Sequence, residues 1–208
     1  MTRLILTRHA ETLWHAENRY AGRSEIGLTE QGLRQAEALG RWAAKADLDA
    51  IWASPMQRVR ATAAPAAQAS GFPPTFDGRL REVDFGWLEG KTRKEAQAER
   101  PAELAAYLEN PVDNVFEGAE APREAVARGW AALDTIAASH EGQRVLIVAH
   151  STLIRLLLCD LLDIPLQRYR QVFPALGNCT LTEIDISNRG IGLITLNIPT
   201  YLDGLSHD

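Results

Sequence analysis

At 208 residues, with 46% hydrophobic and 24% charged side chains and a formal net charge of −5, the chain has the size and balance of one globular domain that buries a core without disulfide or metal staples. An acidic balance with no basic stripe argues against nucleic acid as a partner, and no stretch is long and apolar enough to span a bilayer. "MTRLILTRHAE" falls far short of a secretory leader, and Cys159 and Cys179 have no metal-ligand spacing and build no disulfide framework, so the expected location is the reducing cytoplasm.

The first apolar run, Leu4 to Thr7, reads as a buried strand and stops at Arg8 and His9. In "LTEQGLRQAEALGRWAAKA", Thr29 is a helix cap, and Leu33, Ala36, Leu39, Ala43 and Ala46 form one apolar stripe. A strand over Ala50 to Ala53 leads to "SP", where Ser54 suits an N-cap and Pro55 a first turn; Pro65 then predicts a kink or an end to that helix. Residues 91 to 125 are charged and alanine-rich, with prolines at 101, 111 and 122, and read as an inserted helical cap over an otherwise single domain spanning 1 to 208. "REAVARGWAALDTIAASH" is a further helix, Val145 to Ala149 a further strand, and "STLIRLLLCDLLDI" a helix apolar nearly all round and hence deeply buried. "LTEIDI", "SNRG" and "GLITLNI" predict a closing antiparallel hairpin. Strands alternating with helices imply an α/β fold on a mostly parallel sheet, which places ligands at strand carboxyl ends.

Two strands that each end in a histidine, His9 and His150, can present both imidazoles to one crevice if they are neighbours. Arg8 carries a permanent charge on a rigid fork suited to two oxygens of one phosphate, and burying it calls for an anion. Arg58 lies in the first turn of a helix, where free N–H groups already attract anions. Glu82, in "LREVDFGWLEG", offers a carboxylic acid that can protonate a leaving alcohol. Of Trp14, Tyr20, Trp87, Tyr107 and Phe116, at most two are expected to line a leaving-group pocket, the others packing.

In these blocks the chain resembles the histidine phosphatases, the superfamily that includes the cofactor-dependent phosphoglycerate mutases. Arg8 to Thr12, Leu28 to Gly32, Ser54 to Ala63, Leu80 to Gly90 and the strand-borne His150 follow one another in the family's order. The resemblance implies a three-layer α/β/α sandwich and His9 as nucleophile. Arg8, Arg58 and His150 would bind phosphate oxygens, Glu82 would be the proton donor, and His15, Ser151 and Gly22 would belong to the substrate site. Ala10, Ser151 and His15 stand where the family has two glycines and an asparagine. His15 is expected to protonate near pH 6 and so to strengthen a phosphate contact. Fixed cations would stabilise the transferring phosphoryl group, so neither a metal nor another cofactor is expected.

The acids of residues 91 to 125 outnumber Lys91, Arg93, Lys94, Arg100 and Arg123, which favours a phosphatase acting on a small phosphorylated metabolite. "AENRYAG", residues 16 to 22, is mutase-like, so phosphoryl transfer between phosphoglycerates is the alternative. A non-catalytic phospholigand-binding protein has no need of a nucleophile and an acid together, and a serine hydrolase lacks its G-x-S-x-G elbow. The sequence leaves oligomeric state open, a homodimer included.

Overall fold

The first apolar run is β1 (Thr2–Arg8) in the computed structural model, which describes residues 1–200. It pairs in parallel with β4 (Arg144–Ala149), which pairs with β2 (Ala50–Ala53) and that with β3 (Thr75–Phe76). On its other side β1 runs antiparallel to β5 (Thr180–Ser187), and β5 to β6 (Gly190–Pro199), giving the order β3-β2-β4-β1-β5-β6. The closing hairpin is therefore antiparallel, as its alternation predicts. β3 carries no sequence signal beyond its two residues.

Strand side chains alternate between faces, and the buried residues sort accordingly. Ile5, Ile51, Leu146 and Val148 pack with Ala36, Leu39, Val59 and Ala63 of α1 (Glu30–Ala43) and α2 (Gln57–Ser70). Leu4, Leu6, Val145 and Ile147 pack instead with residues of α5 (Pro122–Ser139) and α6 (Ser151–Leu161). Between these lie α3 (Arg93–Glu99) and α4 (Pro101–Glu109), and α7 (Tyr169–Val172) follows α6. Among the described residues no helix is long and apolar enough to cross a membrane.

Local expectations fare unevenly. Thr29 caps α1, accepting from the Gly32 amide at 2.9 Å. Leu33 leaves the expected stripe and is 52% exposed, because Gly32 takes the buried position; a Cβ on Gly32 would come within 2.1 Å of the Glu11 carbonyl oxygen. α2 starts at Gln57 behind Met56 rather than at Ser54, whose hydroxyl is engaged elsewhere. Pro65 does not end α2, which continues to Ser70. Buried Val59, Ala63 and Ala66 bind α2 along its length, and α1 meets it closely: a Cβ on Gly40 would lie 2.9 Å from the Pro65 Cβ. That packing outweighs the lost helical hydrogen bond.

Residues 91 to 125 form α3, capped by Thr92, and α4, but from Pro122 onward they already belong to α5. Ala96, Leu104, Tyr107 and Phe116 pack with Phe85 and Leu88 in a cluster separate from both sheet faces.

Candidate active site

The β1–β4 pairing sets Arg8 opposite Ala149, and the His9 amide extends the ladder by donating to the Ala149 carbonyl at 3.0 Å. The residue after each strand is a histidine, so the two rings meet with centroids 5.3 Å apart and planes at 64°. The strand ends thus bring together the two histidines that the sequence places at the same edge.

His9 Nδ1 lies 2.7 Å from the Ala10 carbonyl oxygen. A carbonyl only accepts, so Nδ1 carries the proton and Nε2 the lone pair. Burial, then the charges of Arg58 and Arg8, holds the His9 pKa well below 6.5, and the ring is neutral at neutral pH. Ala10 is fully buried, donates its amide to Thr62 Oγ1 at 2.9 Å, and is not among the residues of positive φ, so its methyl group fits where the family has glycine.

Glu82 is fastened to the start of α6. Its Oε1 accepts from Val83 at 2.9 Å and Leu153 at 3.0 Å, and its Oε2 from Thr152 at 3.0 Å. Oε2 therefore keeps a second acceptor position where a proton can sit.

A cavity of about 500 Å³ opens beside His9, with Arg8, His15, Glu82, Ser151 and Arg155 in its lining. Arg8 donates to the Leu176 carbonyl at 2.8 Å, and its buried Nε has no partner among the described residues. Burial and the neighbouring Arg155 bring its pKa down to about 10, which still leaves it charged at neutral pH. Ser151 accepts from Arg155 Nη1 at 2.8 Å. Of the five singled-out aromatics, Trp14 and Tyr20 line this cavity, while Trp87, Tyr107 and Phe116 belong to the α3–α4 cluster.

Arg58 and His150 stand behind the cavity rather than in its wall, both at 0% exposure. Arg58 donates to the carbonyls of Ser24 at 2.8 Å, Gly22 at 2.9 Å and Ala21 at 3.2 Å, and to His150 Nδ1 at 3.2 Å. His150 then carries its proton on Nε2 and donates to Ser54 Oγ at 2.9 Å. Burial and the Arg58 charge hold its pKa well below 6.5, so in this geometry it is a neutral ring that acts as a hydrogen-bond donor.

Gly22 and His15 depart from what the sequence leads one to expect. Gly22 does not line the His9 cavity: its amide donates to Glu89 and its carbonyl accepts from Arg58. A Cβ there would lie 2.5 Å from the Val83 carbonyl oxygen, so this glycine allows a close backbone approach next to Glu82. His15 does line the cavity, but burial and Arg8 push its pKa down to about 4, so it is neutral at pH 6. Its Nδ1 accepts from the Thr12 amide at 2.9 Å, and Nε2 lies 2.6 Å from Arg8 Nη2.

Sequence reasoning missed Arg155 and Arg170, both in the cavity lining. Arg155 had a signal, being the lone cation in the otherwise apolar "STLIRLLL" and one turn beyond Ser151. Arg170 sits in "RYRQVF" and had none. Among the described residues no group of three or more His, Cys, Asp or Glu side chains could hold a metal ion.

The sequence model of the histidine phosphatase superfamily (branch 1) matches residues 4–199. The chain is 29% identical over 202 residues to Phosphoserine phosphatase 1 of Hydrogenobacter thermophilus, covering 97% of this chain and 95% of that one. It is 34% identical over 185 residues to "Probable phosphoglycerate mutase GpmB" of Salmonella choleraesuis, covering 89% and 85%. Among solved structures, Bacillus stearothermophilus YhfR superposes with a TM-score of 0.90 at 30% identity, covering 95% of this chain and 98% of that one.

Proposed function

The chain belongs to branch 1 of the histidine phosphatase superfamily, and on that premise we propose that it hydrolyses a small phosphomonoester through a phosphohistidine on His9. The observation that carries this reading is the 2.7 Å contact of His9 Nδ1 with the Ala10 carbonyl, which leaves the Nε2 lone pair for attack. Nε2 bonds to phosphorus as the ester P–O bond breaks, and protonated Glu82 gives its proton to the departing alkoxide. Water then attacks phosphorus, Glu82 takes its proton, and the N–P bond breaks to release phosphate and restore neutral His9. Arg8 holds phosphoryl oxygens directly, and Arg58 adds positive charge from behind the ring.

The test is hydrolysis of p-nitrophenyl phosphate in excess chelator by the native protein and by His9→Ala. Since guanidinium groups supply the positive charge, turnover persists with chelator and disappears in His9→Ala. A second reading, mutase-type transfer, is favoured by the 34% identity with the protein named a probable phosphoglycerate mutase. Interconversion of 2- and 3-phosphoglycerate outpacing phosphate release would establish it instead.

A further inference from the structure

The His9 cavity holds more positive charge than one phosphoryl group uses. Arg8, Arg19, Arg93, Arg155 and Arg170 line it, against one acidic side chain among the described residues, Glu82. Arg19 is neutralised by Glu17 at 2.7 Å and Glu95 at 2.8 Å, and Glu82 is engaged by three backbone amides. Among the described residues Arg155 and Arg170 pair with no carboxylate. Arg155 is held by Ser151 Oγ and by the Pro174 carbonyl at 3.2 Å, and its buried Nε has no partner among the described residues.

Arg170 is fixed more tightly, and among the described residues by neutral groups. Nε donates to Tyr169 Oη at 2.7 Å, Nη2 to Tyr107 Oη at 3.0 Å and Nη1 to Tyr20 Oη at 3.4 Å. Its Cζ lies 5.2 to 5.5 Å from all three ring centroids, a cage that orients a cation without cancelling its charge. A guanidinium has five N–H groups, so one on each Nη atom is left over. Arg155 and Arg170 also repel one another, and burial with this repulsion lowers the Arg155 pKa. An anion beside both guanidinium groups would relieve that repulsion on Arg155.

We propose that Arg155 and the tyrosine-caged Arg170 form a second anion subsite in the His9 cavity, selecting phosphomonoesters whose alcohol portion bears a carboxylate. The inference rests on the phosphomonoesterase reading above and names the substrate class of that same site. A carboxylate fits because its two oxygens match paired N–H donors in one plane. Both cations are held in place before substrate arrives, so little ordering is needed on binding. The subsite draws Tyr20 from the "AENRYAG" segment, Tyr107 from α4, and Arg155 and Arg170 from α6 and α7.

The full-length protein tests this with 3-phosphoglycerate and glycerol 1-phosphate, which differ by a carboxylate in place of a hydroxymethyl group. Charge-assisted hydrogen bonding predicts a preference of about ten- to a hundredfold in kcat/KM for 3-phosphoglycerate, chiefly in KM. Arg170→Gln collapses that ratio toward one, and Arg170→Lys, which keeps charge but not the fork, retains part of it. A native protein that turns over both esters equally, or an Arg170→Gln variant that loses both in proportion, overturns the subsite. Silence on both esters and on p-nitrophenyl phosphate overturns instead the phosphomonoesterase reading.

Discussion

Arg58 Nη2 lies 3.2 Å from His150 Nδ1, with neither side chain reaching solvent. A guanidinium can only donate, so the pair fixes the proton of His150 on Nε2 and sets a permanent positive charge behind His9. Strand pairing alone would bring two histidines together. Burial, and after it the charge of the buried arginine, keeps both of them neutral.

His9 and His150 are held well below 6.5, and His15 is brought down to about 4. The free enzyme therefore does not lose its nucleophile to protonation as pH falls through 6.5, and kcat/KM for p-nitrophenyl phosphate shows no acid limb there. A limb at pH 6.5 that disappears in a His15 or His150 variant would show that a ring is protonated in the native protein.

The same shifts bear on stability. These three histidines have folded pKa values below their unfolded value of 6.5, so the unfolded chain takes up protons first. Their contribution is complete above pH 6.5 and is lost as pH falls below it, by up to about 1.4 kcal/mol per pH unit for each buried ring. Urea unfolding of the native protein and of His150→Gln at pH 7 and about pH 5.5 measures this. The variant loses less stability than the native protein over the interval, and equal losses contradict the assignment.

Glu82→Gln removes the proposed proton donor but leaves one oxygen to accept from the α6 amides. Loss of general acid catalysis predicts a fall in kcat/KM, which reports the steps through phosphorylation, of about 10²- to 10⁴-fold on an alkyl phosphate. The fall in kcat/KM on p-nitrophenyl phosphate is much smaller, because p-nitrophenolate departs without a proton. Equal losses on both substrates would mean that Glu82 acts only by positioning α6.

Arg58→Met leaves the carbonyls of Ser24, Gly22 and Ala21 without their donor. Breaking a buried charged network of this kind destabilises by about 3–5 kcal/mol. Arg58→Lys recovers little of it, since one ammonium cannot reach three carbonyls and His150 from a single point. Urea midpoints close to the native value in both variants would contradict this structural role.

The histidine-bearing end of the sheet was legible in the sequence because its signals are local. An apolar run that stops at a charged or titratable residue marks a strand end, and the β1–β4 pairing then places His9 beside His150. What the sequence hid depends on neighbours. Ser54 has the form of a helix cap, but its hydroxyl serves His150; Pro65 has the form of a helix breaker, but packing against α1 holds α2 together. Leu33 fits an apolar stripe, yet the close approach of Glu11 to Gly32 turns it outward. Arg170 is ordinary in sequence, and its meaning comes only from three tyrosines brought in by distant segments.

The most direct test of the account is to quench the native protein during turnover of p-nitrophenyl phosphate in alkali, where phosphohistidine survives, and to locate the phosphoryl group by peptide mass spectrometry. The account predicts one labelled residue, His9, with more label at steady state in Glu82→Gln, whose intermediate lacks the base that assists its hydrolysis. A phosphoryl group on any other residue, or native-like turnover by His9→Ala, would contradict it.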